Sequence, residues 1–258
     1  VSEAAKLQAA KNDANHALSD AVQTAVDAIN GNDSLTEVEK ADLVNQVNTA
    51  AEQAKETINN ATTPETAQSA ASDGETVING VSEAAKLQAA KNDAVKQLDQ
   101  ARNNTIEQIK NSGLSAARQQ ALINEVNAAH DEAVQKVNAD TTIPAVNQDA
   151  ADGLAAISQV QATMTGESNQ LHAAQNTANN KLDSIVQDAI AAINGNDSLT
   201  ADEKTDLVGQ VNTAADQAKS NINDATTPET AQSAASDGET AIASVSDVAK
   251  LQAAKNDA

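Results

Sequence analysis

The segment VSEAAKLQAAKNDA at 1–14 recurs unchanged at 81–94 and returns with two substitutions, as VSDVAKLQAAKNDA, at 245–258. A second block, ATTPETAQSAASDGET, stands at 61–76 and again, identically, at 225–240. Between them a more divergent copy keeps the landmarks. Leu114 corresponds to Leu35 and Leu199, Pro144 to Pro64 and Pro228, and Gly153 to Gly74 and Gly238. A period of about 80 residues is the scale of helical repeats, in which each unit completes its core against its neighbours. The chain therefore divides into a first unit at 1–80, a divergent second at 81–164 with a longer linker at its end, a third at 165–244 and the start of a fourth at 245–258. It opens directly in a helical pattern and reads as a segment of something longer.

Each unit reads as three helices. In the first, Leu7, Ala10, Ala14, Leu18, Val22, Ala25 and Ile29 fall at steps of three and four, the spacing of one helical face. In the second, Val44, Val47, Ala51, Ala54 and Ile58 form a seam that recurs as Val208, Val211, Ala215, Ala218 and Ile222. The third carries Ala67, Ala70, Gly74, Val77 and Val81. No proline separates it from the next unit, so one helix is expected to run through the junction, weakened at Gly74 and Gly80 because a mid-helix glycine costs about 1 kcal/mol against alanine. The second junction, QVQATMTGESNQ at 159–170, holds Gly166 and about five additional residues, and is expected to be a looser hinge. The chain has no Phe, Tyr, Trp or Cys and one Met. Aromatic rings normally supply much of a globular core; a core of Ala, Val, Ile and Leu must be thin. The fold expected is all-α, tandem three-helix bundles forming an elongated rod, at roughly 40 Å per unit from helix rise.

The stretches between helices read as stop, turn and start signals. Gly31 and Gly195, each after an Asn, are expected to take left-handed geometry at a helix C-terminus. Thr36 with Glu39, and Thr200 with Glu203, have the spacing of a capping box, and the acids there also favour the helix dipole. In the divergent copy Ser115 can still cap, but Arg118 replaces the Glu. Thr63 and Thr227 are expected N-caps, with Pro64 and Pro228 where a missing N–H costs nothing; Pro144 marks the corresponding start.

The same stretches invite a metal reading, since NGNDS is rich in oxygen donors. Counting from Asn30, however, the sixth residue is Leu35 and the twelfth is Ala41, where a calcium loop needs Gly and Glu. His16 and His172 align with polar residues in the other copies, while His130 takes the seam position of Ala51 and Ala215. No zinc-type His motif, phosphate-cradling glycine loop or nucleophile elbow is present. No catalytic residue, cofactor or metal is assigned, and an enzyme is not expected. A net charge of −21 argues against nucleic acid, whose phosphates need Lys and Arg, and against anionic lipid. No apolar run has the length of a membrane span.

At NGNDSLTADEK and ATTPETAQSAASDGE the sequence resembles the helical repeats of giant wall-anchored surface proteins of Gram-positive bacteria, the Ebh-like adhesin stalks. The resemblance covers the whole chain and weakens at Ser115–Gln119. It implies an extracellular, wall-attached stalk of three-helix modules, monomeric, whose partners are neighbouring repeats of the same chain. The alternative is a module that binds a host protein such as albumin, immunoglobulin or fibronectin directly. Interface hot spots favour Trp, Tyr and Arg, and the two aromatic types are missing here.

Overall fold

Alanine and aliphatic residues at three- and four-residue spacing, interrupted only by short capped turns, produce helices throughout. A computed structural model describes residues 2–258, and the regular elements among them are α1 (Glu3–Asn30), α2 (Glu37–Asn60), α3 (Pro64–Lys110), α4 (Ala116–Ala139), α5 (Ile143–Asn194), α6 (Ala201–Asn223) and α7 (Pro228–Asn256). The fold is all-α.

Two of these helices are far longer than a bundle requires. α3 has 47 residues and α5 has 52, because each serves as the last helix of one three-helix group and the first of the next. Gly80 lies inside α3 without a break. The expected hinge at 159–170 is absent: α5 runs unbroken through Gly166, and the additional residues are absorbed as helix. A single solvent-facing glycine costs a helix about 1 kcal/mol. Buried anchors on both sides, Ile78 and Ala85 around Gly80 and Met164 and Leu171 around Gly166, outweigh that.

The helices sort into two compact units, residues up to Arg102 with Ala128–Ala156, and Asn103–Asn127 with Ile157–Ala258. In the first, α1, α2 and the early part of α3 enclose a core of Leu18, Ile29, Val47, Ile58 and Ile78, all at most 1% exposed, filled in by Ala14, Ala25, Ala51, Ala54 and Ala71. Further along the same unit Leu98, Ala133, Val137 and Val146 are buried. The second unit repeats the scheme with Leu182, Ile193, Val211, Ile222 and Ile242, and also buries Ile109, Leu122, Val126 and Ile157. Full burial of one such aliphatic side chain contributes about 1.5–3 kcal/mol, so a few large residues per bundle carry the core.

What lets so thin a core close is a glycine at the helix crossing. A Cβ at Gly74 would fall well inside contact distance of the Ala54 methyl and 3.0 Å from Leu18 Cδ1. Gly153 faces Ala133 and Leu98 Cδ2 (2.9 Å) in the same way, and Gly238 faces Ala218 and Leu182 Cδ1 (3.2 Å). The seam of α3 consequently turns by one residue from the expected one. Ile78 is fully buried whereas Val77 is 55% exposed, because the face is set by the close approach at Gly74 and Ile78 follows it by one helical turn.

Candidate functional site

The turn after α1 is built from backbone geometry outward. The Gly31 N–H donates to Asp27 O (2.9 Å) and the Asn32 N–H to Ile29 O (3.2 Å), while the Asn32 side chain accepts from the Ser34 N–H (2.9 Å). Leu35 is buried beneath. Thr36 Oγ1 then accepts from the Glu39 N–H (3.2 Å) and Glu39 Oε2 from the Thr36 N–H (2.7 Å), a reciprocal capping box. The turn after α5 has the same parts: Gly195 on Ala191 O, Asn196 on the Ser198 N–H, and Thr200 with Glu203. The left-handed geometry expected at the glycines is not there. Gly31 has φ −78°, and Gly113 (φ 75°) holds the one positive φ among the described residues. The asparagine side chain closes the longer turns without a change of hand. In the divergent copy Leu114 follows Ile109 by five residues instead of six, and the shorter path takes the left-handed step at Gly113.

Each turn is also held from outside, by the helix two elements later. Asn92 Nδ2 on α3 donates to Ser34 O (2.8 Å) and to Glu39 Oε2 (2.8 Å), with its own Oδ1 fixed by Gln88 (3.0 Å). On α7, Asn256 Nδ2 reaches Ser198 O (2.8 Å) and Glu203 Oε2 (2.9 Å), and Gln252 Nε2 reaches Glu203 Oε1 (2.7 Å). The divergent copy uses other chemistry for the same purpose. Ser168 Oγ donates to Ser112 O (2.7 Å), and Arg118, whose N–H is capped by Ser115 Oγ (3.3 Å), grips Glu167 through Nε and Nη2 at 2.8 Å each. Burial pushes the Glu39 carboxyl up, but donors from Thr36, Asn92 and Gln88 outweigh it and hold the group below the ordinary carboxylate range. Hydrogen bonds from the Thr200 backbone and Asn256 lower Glu203 likewise. The Arg118 guanidinium lowers Glu167 and is itself raised by it.

The remaining cap residues lie at the starts of α3, α5 and α7. Thr63 Oγ1 accepts from the Thr66 N–H and Thr227 Oγ1 from the Thr230 N–H, both at 3.2 Å, with Pro64 and Pro228 as first helical residues. α5 begins one residue earlier, at Ile143; Thr142 Oγ1 accepts from the Ala145 N–H (3.4 Å) and Pro144 occupies the second helical position. The sequence assigned the turn acids to cap and dipole only. Their second partners, Asn92 and Asn256, were missed, although both sit in the LQAAKND block that recurs together with the turn.

His130 is the one buried histidine among the described residues. Its Nε2 lies 2.9 Å from Asp99 Oδ1 and its Nδ1 2.8 Å from Asp131 Oδ1, with Arg102 Nη2 3.3 Å from the same Asp99 oxygen. The cluster is a hydrogen-bonded polar network at a seam position that is alanine in the other copies. His16 and His172 are exposed. Among the described residues no group of three or more His, Cys, Asp or Glu is placed to hold a metal ion, and no helix is long and apolar enough to cross a membrane.

Three tandem bundles with one recurrent turn architecture now have counterparts. Residues 10–86, 90–165 and 174–250 each match the family described as Domain of Unknown Function (DUF1542). The chain belongs to the DUF1542 family. Its DUF1542 units are similar to stretches of very long proteins. The chain is 30% identical over 254 residues, 98% of its length, to the extracellular matrix-binding protein EbhA of Staphylococcus aureus strain Newman. It is equally similar over the same share to the extracellular matrix-binding protein ebh of strain NCTC 8325 / PS 47, and 28% identical to EbhA of strain Mu3. The DUF1542 array spans only 7%, 2% and 4% of those relatives. No solved structure matches it.

Proposed function

We propose that this DUF1542 array is a structural spacer in a bacterial surface protein, one stretch of a stalk that carries a binding region away from the cell wall. The observation that supports it most is the sharing of helices between successive bundles. With α3 and α5 running through the junctions and each turn gripped by a later helix, a pull along the chain is borne by packed helices and not by linkers. The work is mechanical and non-enzymatic. The relatives' names, which describe extracellular matrix-binding proteins, support an extracellular setting; attachment to the wall is part of this reading, and the array's own partners on it are its neighbouring units.

Those same names favour a second reading, in which the units themselves bind a host matrix or plasma protein. Passing human plasma and solubilised matrix over the immobilised chain separates the two. The spacer reading expects no host protein retained above background. One protein bound saturably, and competed off by the free chain, would overturn it in favour of direct binding.

A further inference from the structure

The chain has three Asn–Gly bonds, Asn30–Gly31, Asn79–Gly80 and Asn194–Gly195. In such a pair the glycine nitrogen can attack the preceding side-chain amide with little hindrance, because no Cβ stands beside it. The attack needs that nitrogen released from its hydrogen bond and the asparagine turned out of helical geometry, so local opening of the chain controls it. All three asparagines are exposed, but their settings differ. Asn79–Gly80 lies inside α3 between Ile78 and Ala85, both buried, and freeing it means melting a packed helix from within. Asn30 and Asn194 are the last residues of α1 and α5. There the glycine N–H donates to Asp27 O or Ala191 O, at 2.9 Å in each case, and opening one terminal turn releases it. What keeps that turn closed comes from another helix. Asn92 Nδ2 donates to Ser34 O and Asn256 Nδ2 to Ser198 O, both at 2.8 Å, and each also reaches the capping glutamate that follows.

We propose that Asn30 and Asn194 are sites of spontaneous deamidation, that Asn79 is protected by its helix, and that the Asn92 and Asn256 locks set the rate at the two turns. The Gly31 nitrogen gives its proton to solvent and bonds to Asn30 Cγ; the Cγ–Nδ2 bond breaks and the nitrogen leaves as ammonia. The resulting five-membered imide then takes up one water and opens at either carbonyl. One opening leaves an ordinary aspartate. The other leaves an isoaspartate, in which the main chain runs through the former side chain and is longer by one methylene. Gly195 and Asn194 react in the same way. Either product places a negative charge at a helix C-terminus, where the dipole disfavours it, and the longer backbone no longer fits the path from α1 to the capping box. The modification thus loosens the turns that the later helices hold, and does so with age. It goes beyond the spacer reading and holds equally if the units bind a ligand.

The test is to hold the folded 258-residue chain at mildly alkaline pH and follow the three sites by peptide mapping and mass spectrometry, with an isoaspartyl methyltransferase to report the isoaspartate. Conversion at Asn30 and Asn194 is expected to run at least about tenfold faster than at Asn79, and the three rates should converge in denaturing urea, where only the shared Asn–Gly chemistry remains. Asn92→Ala should speed Asn30 several-fold and leave Asn194 and Asn79 as they were; Asn256→Ala should do the same at Asn194 alone. Equal rates at the three sites in the folded chain, or a faster Asn79, overturns the proposal. A rate at Asn30 that Asn92→Ala leaves unchanged, or an acceleration of all three sites together, overturns the part given to the locks.

Discussion

Two kinds of glycine share these helices, and only their surroundings tell them apart. Gly74, Gly153 and Gly238 sit where an alanine and a leucine from two other helices converge, so an added methyl must force the helices apart. Gly80 and Gly166 have open space where a Cβ would go. Gly74→Ala and Gly238→Ala should therefore destabilise the chain by about 1–3 kcal/mol through overpacking. Gly80→Ala and Gly166→Ala should stabilise it by up to about 1 kcal/mol, since only helix propensity changes. Thermal and urea unfolding of the four variants checks the split in sign. From sequence all of these positions look like helix weaknesses, because propensity is a local property while the crossing at Ala54 or Ala218 is a tertiary one. The same crossing explains why Val77 is read as core when Ile78 is. Both satisfy the spacing, and the choice between adjacent residues belongs to the packing.

At the scale of helices and turns, the start signals were legible and the locks were not. Thr36 with Glu39 and Thr200 with Glu203 can be read from four consecutive residues each, since a capping box is closed within one turn of helix. The partners Asn92 and Asn256 lie more than fifty residues further on, and no local pattern announces them. The hand of the turn was likewise misread, because Asn32 and Asn196 close it with their side chains where a left-handed glycine was expected. The lock has an acid signature. Glu39, Glu203 and Glu167 are all held below the ordinary carboxylate range in the folded chain. Their contribution is full above the ordinary carboxylate pKa and is lost as pH falls through the depressed folded values. Melting temperature should thus be flat near neutral pH and fall on acidification below the usual carboxylate range. Glu39→Gln should cost about 1 kcal/mol at neutral pH through loss of a charge-assisted bond and make that acid limb shallower. An unchanged limb in Glu39→Gln combined with Glu203→Gln contradicts the role given to the locks.

For the molecule as a whole, repetition is what the sequence makes plainest, and the array follows from it. Helix count within a unit, cap placement and the passage of a helix through the first junction all come from reading one copy against the others. The behaviour at Gly166 could not be read so, because a single glycine and a few polar residues have the composition of a loop. Whether they form one depends on what is buried on either side. A net charge of −21 spread over thin helical bundles keeps such an array soluble and self-repelling. The spacer account turns on extension, and small-angle X-ray scattering of the 258-residue chain at physiological salt tests that directly. Three units in line at roughly 40 Å each predict a maximum dimension of about 120 Å and a radius of gyration of about 35 Å. A radius near 18 Å, the value expected on average for a globular chain of this length, would contradict the account.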